Sequence, residues 1–145
     1  MISRAARDIE MLAGTMQVED FNGTSNIDDA DSLVRHLRTV RQGPYGSFIL
    51  CHSSKEPSLW IMINSAVAYV HYMPDIEGGH AGFQPTGMTP KLCDDNVQFV
   101  LTDGSVGSGV TMPASTLVST DAAYAAAVEF FGNPGLPPSI HWLEL

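Results

Sequence analysis

Three consecutive runs, Tyr45 to Cys51, Ser58 to Asn64 and Val67 to Met73, constrain this chain most, because they read as strands yet carry apolar residues on both sides. In the second run Leu59, Ile61 and Ile63 alternate with Trp60, Met62 and Asn64. In the third, Val67, Tyr69, His71 and Met73 oppose Ala68, Val70 and Tyr72. The last two runs are close enough in sequence for a hairpin. A sheet made of such strands needs cover on both faces, so the pattern predicts helices on one side and partial cover on the other.

The flanking segments supply that cover. A first strand is expected around Thr15 to Phe21, with a turn at Asn22-Gly23. Between Asp28 and Val40, residues Ala30, Leu33, Val34, Leu37 and Val40 fall at helical spacing. Asn26 or Asp28 can cap this helix; aspartates crowd its first turn, and Arg35, Arg38 and Arg41 its later turns, as the helix dipole favours. Gly43-Pro44 ends it. From Pro74 to Pro90 repeated Gly and Pro predict a long loop. Asn96 to Thr102 resumes as a strand, Asp103-Gly104 turns it, and Gly109 to Val118 is expected to be extended, with Pro113 at an edge or bulge. Thr120 can cap a last helix in which Ala122, Ala126 and Phe130 share a face, and Gly132 stands where a left-handed stop is favoured. After the Asn133–Pro138 turn, Ile140, Trp142 and Leu143 give a terminal strand its apolar content. This order predicts an α+β fold, a mostly antiparallel sheet with two main helices packed on one face.

At 145 residues and 44% hydrophobic content, the chain suits one domain, read as residues 15–145, with 1–14 as an N-terminal extension. Its formal charge is −9, unevenly spread. Five of the seven cations lie at or before Arg41; beyond it nine acids face only Lys55 and Lys91, a balance of −7. Such a surface repels phosphate backbones and attracts basic proteins, so nucleic acid is not expected as a ligand. Solubility alone also favours mild acidity. No stretch approaches the roughly 20 apolar residues that span a bilayer, and the opening segment has no uninterrupted apolar core of a leader. No membrane contact and a cytoplasmic location are therefore expected.

Residues that could carry chemistry lack the spacing for it. Cys51 sits among Phe48, Ile49 and Leu50 in an expected strand, where a small buried thiol is ordinary. His52, His71, His80 and His141 with Cys93 can be gathered into a zinc site on paper, but no HExxH or CxxC spacing is present. Gly104-Ser105-Val106-Gly107-Ser108-Gly109 has no following lysine and no following helix, and reads as a hairpin connection in preference to a phosphate loop. Trp60 and Trp142 have apolar neighbours and are expected in the core. No catalytic residue, metal or cofactor is expected. A small metal- or thiol-dependent enzyme or ligand-binding domain using Cys51 or the histidines stays as the alternative.

What remains is a candidate protein-binding surface. Asp75 and Glu77, then His80 and Phe83, then Asp94, Asp95 and Asp103 place carboxylates and an aromatic in neighbouring connections, with acids to steer and an aromatic to anchor. The order of parts includes Asp31-Ser32-Leu33-Val34-Arg35-His36-Leu37, the hairpin around Trp60-Ile61-Met62-Ile63-Asn64 and Ala68-Tyr69-Val70, then Ala126-Ala127-Val128-Glu129-Phe130-Phe131, a Gly/Pro turn and Ile140-His141-Trp142. In this the chain resembles the immunity-one family of bacterial polymorphic toxin systems. The resemblance covers about residues 15–145 and is sharpest from Phe130-Phe131 to Trp142; residues 1–14 and the Pro74–Pro90 loop fall outside it. It implies a non-enzymatic protein that binds and neutralises a cognate toxin, often of the nucleic-acid deaminase superfamily. Such a toxin presents a basic cleft around a zinc-bound water, which an acidic partner can block.

Overall fold

The computed structural model describes residues 15–52, 57–74, 79–86, 96–103 and 109–145. Among these residues the strands are β1 (Met16–Asp20), β2 (Gly23–Ile27), β3 (Tyr45–Cys51), β4 (Ser58–Asn64), β5 (Val67–Met73), β6 (Phe83–Pro85), β7 (Val97–Phe99), β8 (Val110–Met112), β9 (Val118–Ser119) and β10 (Trp142–Glu144). The helices are α1 (Ala30–Thr39) and α2 (Thr120–Gly132). The main sheet runs β10-β6-β5-β4-β3-β1-β2, every pair antiparallel, with β9 on the Val67 end of β5. β7 and β8 form a separate two-stranded ribbon. This is the expected α+β fold.

The doubly apolar strands explain the layering. Leu59, Ile61 and Ile63 of β4, Ala68 and Val70 of β5, and Phe48 and Leu50 of β3 are buried under the helices, together with Leu33 and Leu37 of α1. α2 contributes Ala123, Ala126, Ala127 and Phe130. Three alanines on one face let its backbone come close to the sheet, while Phe130 fills the remaining depth and meets Tyr72 edge to face at 6.4 Å. On the opposite face Met62 and Tyr69 are buried against Phe99 and Leu117. That second cluster lies under the β7–β8 ribbon and covers the face only in part.

Local signals set the helix ends, with small departures from expectation. Asp29, not Asn26 or Asp28, caps α1: its carboxylate accepts the Ser32 N–H at 2.7 Å and the Ser32 hydroxyl at 3.0 Å. These bonds hold the Asp29 carboxyl below its usual range. Ser119, not Thr120, caps α2 by accepting the Ala122 N–H at 3.1 Å. Gly132 is still helical in register and does not make the expected left-handed stop; the chain leaves through Asn133 in extended conformation, its N–H on Glu129 O. α1 is tied to α2 by Arg41, whose Nη2 donates to the Tyr124 hydroxyl at 3.0 Å and whose Nη1 donates to the Leu37 and Val40 carbonyls. Buried Asp20 ties β1 to α1 through His36 Nε2 and accepts the Asn22 N–H at 2.8 Å.

Three further expectations need correction. Gly23–Ile27 is a strand, hidden in the sequence by its polar Thr24, Ser25 and Asn26, all exposed at the sheet edge. The Pro74–Pro90 stretch is not loop throughout, because Phe83–Pro85 bridges β5 and β10. Gly109–Val118 is broken by a 3₁₀ turn at Ala114–Thr116, where Thr116 donates its hydroxyl to Pro113 O at 2.8 Å. The expected extension at residues 1–14 lies outside the described residues.

Gly82 makes the docking of β6 possible. Its φ is +94°, and a Cβ there would sit 2.7 Å from the Tyr72 carbonyl oxygen and clash with Nε2 at the edge of the His71 ring. Neither a backbone oxygen nor a hydrogen-bonded ring gives way easily. Gly82→Ala should therefore destabilise the fold by at least about 1–3 kcal/mol, read from the urea midpoint with an unchanged m-value.

Candidate functional site

The helix-free face of the sheet is built from the second set of alternating residues. Ile49, Trp60 and His71 lie side by side across β3, β4 and β5. Trp60, expected in the core, belongs to neither buried cluster and is half-buried on this face, its Nε1 donating to Ser58 Oγ at 3.1 Å. Trp142 does pack on the helix-side core, with Nε1 donating to Pro137 O at 2.8 Å. The same alternation that put Leu59 and Ile61 under the helices put Trp60 and Met62 on the other side.

The β7–β8 ribbon walls this face. Asn64 Nδ2 donates to Gln98 O at 2.9 Å, and beyond β7 the Thr102 hydroxyl reaches across to Glu19 Oε2 of β1 at 3.0 Å. Three hollows open on this face, two of them against the ribbon and the residues that follow β7, and Trp60 lines all three. One of about 180 Å³ lies against Ile49, Leu101 and Thr102. A second, about 280 Å³, lies toward Glu19, Thr24 and Cys51. The third, about 200 Å³, lies toward His71, Met73 and Met112. Glu19 is the one carboxylate among these lining residues, and no lysine or arginine is among them.

At the edge of this face Tyr69, His71 and the Ala81 carbonyl form a chain. The carbonyl can only accept, so His71 Nε2 carries the proton and donates to it at 2.9 Å, leaving Nδ1 to accept from the Tyr69 hydroxyl at 2.8 Å. Burial pushes the Tyr69 phenol up to about 12. Burial also lowers the His71 imidazole, partly opposed by its bond to Ala81. The pair is thus neutral at ordinary pH and holds β5 to the segment that leads into β6.

The candidate residues named from the sequence fall in different places. Asp75, Glu77, Asp94 and Asp95 lie outside the described residues, as does Cys93. Phe83 is not a free loop aromatic: it is partly buried in β6, edge to face with Tyr72 at 5.8 Å on the helix side. His80 stacks on Phe83 at 5.3 Å, accepts the Gly82 N–H at 2.8 Å and meets Glu144 Oε2 at 2.9 Å, so these residues pin the C-terminal strand. Asp103 is exposed next to Thr102, beside the helix-free face. His80 and Phe83 are therefore not on the face beside Asp103. Cys51 Sγ donates to Gln17 Oε1 at 3.5 Å, and His52 Nε2 bonds Phe130 O at 3.1 Å. Among the described residues no three His, Cys, Asp or Glu gather in a way that could hold a metal ion. No helix among them is long and apolar enough to cross a membrane.

Over 132 residues the sequence is 29% identical to the double-stranded DNA deaminase immunity protein of Burkholderia cenocepacia (strain H111), covering 90% of this chain and 100% of that protein. The chain resembles a deaminase immunity protein. The aligned span is long enough to include strands that contribute to both faces of the sheet. It bears out the resemblance to an immunity protein of a deaminase toxin drawn from the order of parts. No protein-family model matches the chain.

The Tyr69–His71 pair gives this face of the immunity-like fold a defined pH response. A phenol whose folded value is raised from 10.0 to about 12 stabilises fully below pH 10 and loses that contribution as pH climbs toward 12. Tyr69→Phe should cost about 1 kcal/mol at pH 8 for the lost hydrogen bond. It should also flatten the fall of the urea midpoint over that alkaline window.

Proposed function

We propose that this chain is an immunity protein that binds and neutralises a cognate bacterial toxin, a nucleic-acid deaminase, and does no chemistry itself. The observation that carries the reading is the full-length likeness to a protein named for immunity to a double-stranded DNA deaminase. It acts in the cytoplasm of the producing cell, with the toxin domain as its partner and without cofactor, metal, nucleic acid or membrane.

Charge supplies the mechanism. A deaminase that holds DNA or RNA must present cations around its zinc-bound water. Nine acids against two lysines beyond Arg41 make this chain a match for such a cleft. Acidic connections carrying Asp75, Glu77, Asp94, Asp95 and Asp103 steer the encounter, and the bound protein blocks the cleft by bulk and by competing for its cations. His80 and Phe83 serve by fixing the C-terminal edge strand.

Two measurements test the proposal. Equimolar chain should abolish base conversion by its cognate toxin domain, and co-expression should protect cells; full deaminase activity at saturating chain would end the reading. Reversing Asp75, Glu77, Asp94 and Asp95 together should lower the association rate by about 10-fold or more at low salt. An association rate equal to that of the unmodified chain would remove the acidic-steering mechanism.

A further inference from the structure

We propose that the helix-free face is where the toxin docks, and that it takes an arginine of the partner laid over the Trp60 indole with Glu19 as counter-charge. This rests on the reading of the chain as a toxin-binding protein and adds to it the face, the anchor and the group received. The other face of the sheet is closed by α1 and α2, while this one leaves a half-buried tryptophan at the meeting of three hollows. Tryptophan in a partly open apolar setting, with Met62, Met73 and Met112 around it, has the make-up of an interface centre. The indole gives rigid area and the thioethers adapt their shape.

Charge selects the occupant. Glu19 stands opposite Ile49 in the β1–β3 register, and Ile49 stands opposite Trp60 in the β3–β4 register. Two strand spacings, roughly 10 Å, therefore separate the backbones of the carboxylate and the indole. Their side chains rise from the same face. A guanidinium stacked on the indole can turn its N–H fork to the carboxylate, which lysine's compact ammonium does less well. No described arginine competes, because Arg35, Arg38 and Arg41 all lie in or next to α1 on the opposite side of the sheet. Glu19 is exposed, and its bond from Thr102 holds the carboxylate at the rim while leaving lone pairs for a second donor. An arginine held in this way is withdrawn from the phosphate backbone that the toxin must bind.

The test is titration calorimetry of the full-length chain against its cognate toxin domain, made inactive by replacing its catalytic glutamate. Trp60→Ala should weaken binding about 30-fold or more, the loss expected of a central anchor. Trp60→Phe keeps an aromatic of lower cation affinity, and Glu19→Gln keeps shape without charge; each should weaken binding about 5–10-fold. These two conservative variants carry the test if Trp60→Ala does not fold, as judged by circular dichroism. Val128→Ala, on the exposed side of α2, should bind as the unmodified chain does. If Trp60→Phe and Glu19→Gln both keep full affinity while the unmodified chain binds and neutralises the toxin, the docking face is wrong and the immunity reading stands. If the unmodified chain neither binds nor protects, the immunity reading fails and the docking face falls with it.

Discussion

The structure depends on one constraint: β3, β4 and β5 are apolar on both faces, so the sheet they form must be covered twice. Helices α1 and α2 meet the larger part of that demand. Their buried Leu33, Leu37 and Phe130 remove enough apolar surface from water to fix which face points inward, at roughly 1.5–3 kcal/mol for each fully buried side chain. The second cover is thinner. The β7–β8 ribbon buries Met62 and Tyr69 but stops short of Trp60, so the same demand that makes the core leaves an unfilled apolar site beside it.

Polar ties hold these layers without intruding on the core. Arg41 joins the helices through Tyr124 and reads the carbonyls at the end of α1, which both satisfies orphan acceptors and suits the dipole. Asp20 does the same for β1 and α1 through His36. On the far edge, Tyr69, His71 and Ala81 fasten β5 to the approach of β6, and His80 with Glu144 fastens the last strand. Among the described residues no buried side-chain nitrogen or oxygen lacks a partner. The C-terminal strand is thereby a structural edge of the sheet, with Leu143 and Leu145 exposed and Trp142 turned to the core.

The layering sorts the described cations to one side of the sheet. The described arginines belong to the helix side, drawn there by the C-terminal end of α1, whereas the helix-free face has Glu19 at its rim and Asp103 next to it. The helix side also carries Asp29, Asp31, Asp121 and Glu129, so what sets the helix-free face apart is that no described cation lies on it. Under the proposed docking, the lack of a competing described cation is what suits this face to a guanidinium.

The sequence by itself determined the strands whose period was strong and the helices whose ends were marked. Leu59, Ile61 and Ile63 against Trp60 and Met62, and Leu33 and Leu37 between aspartates and arginines, are local patterns that only one element satisfies. Caps slipped by a residue or so because Asp28, Asp29, Ser119 and Thr120 are near equivalents as acceptors, and only the path of the chain chooses among them. β2 and β6 were not legible: Thr24-Ser25-Asn26 has no apolar side to report, and Phe83 is a strand residue only because Tyr72 and Glu144 lie on either side of it. Alternation told which residues of β4 share a face but not which face the helices would take. Tertiary structure decided that, by seating α1 and α2 on the Leu59 side, and in doing so it turned Trp60 from an expected core residue into the half-buried centre of the candidate site.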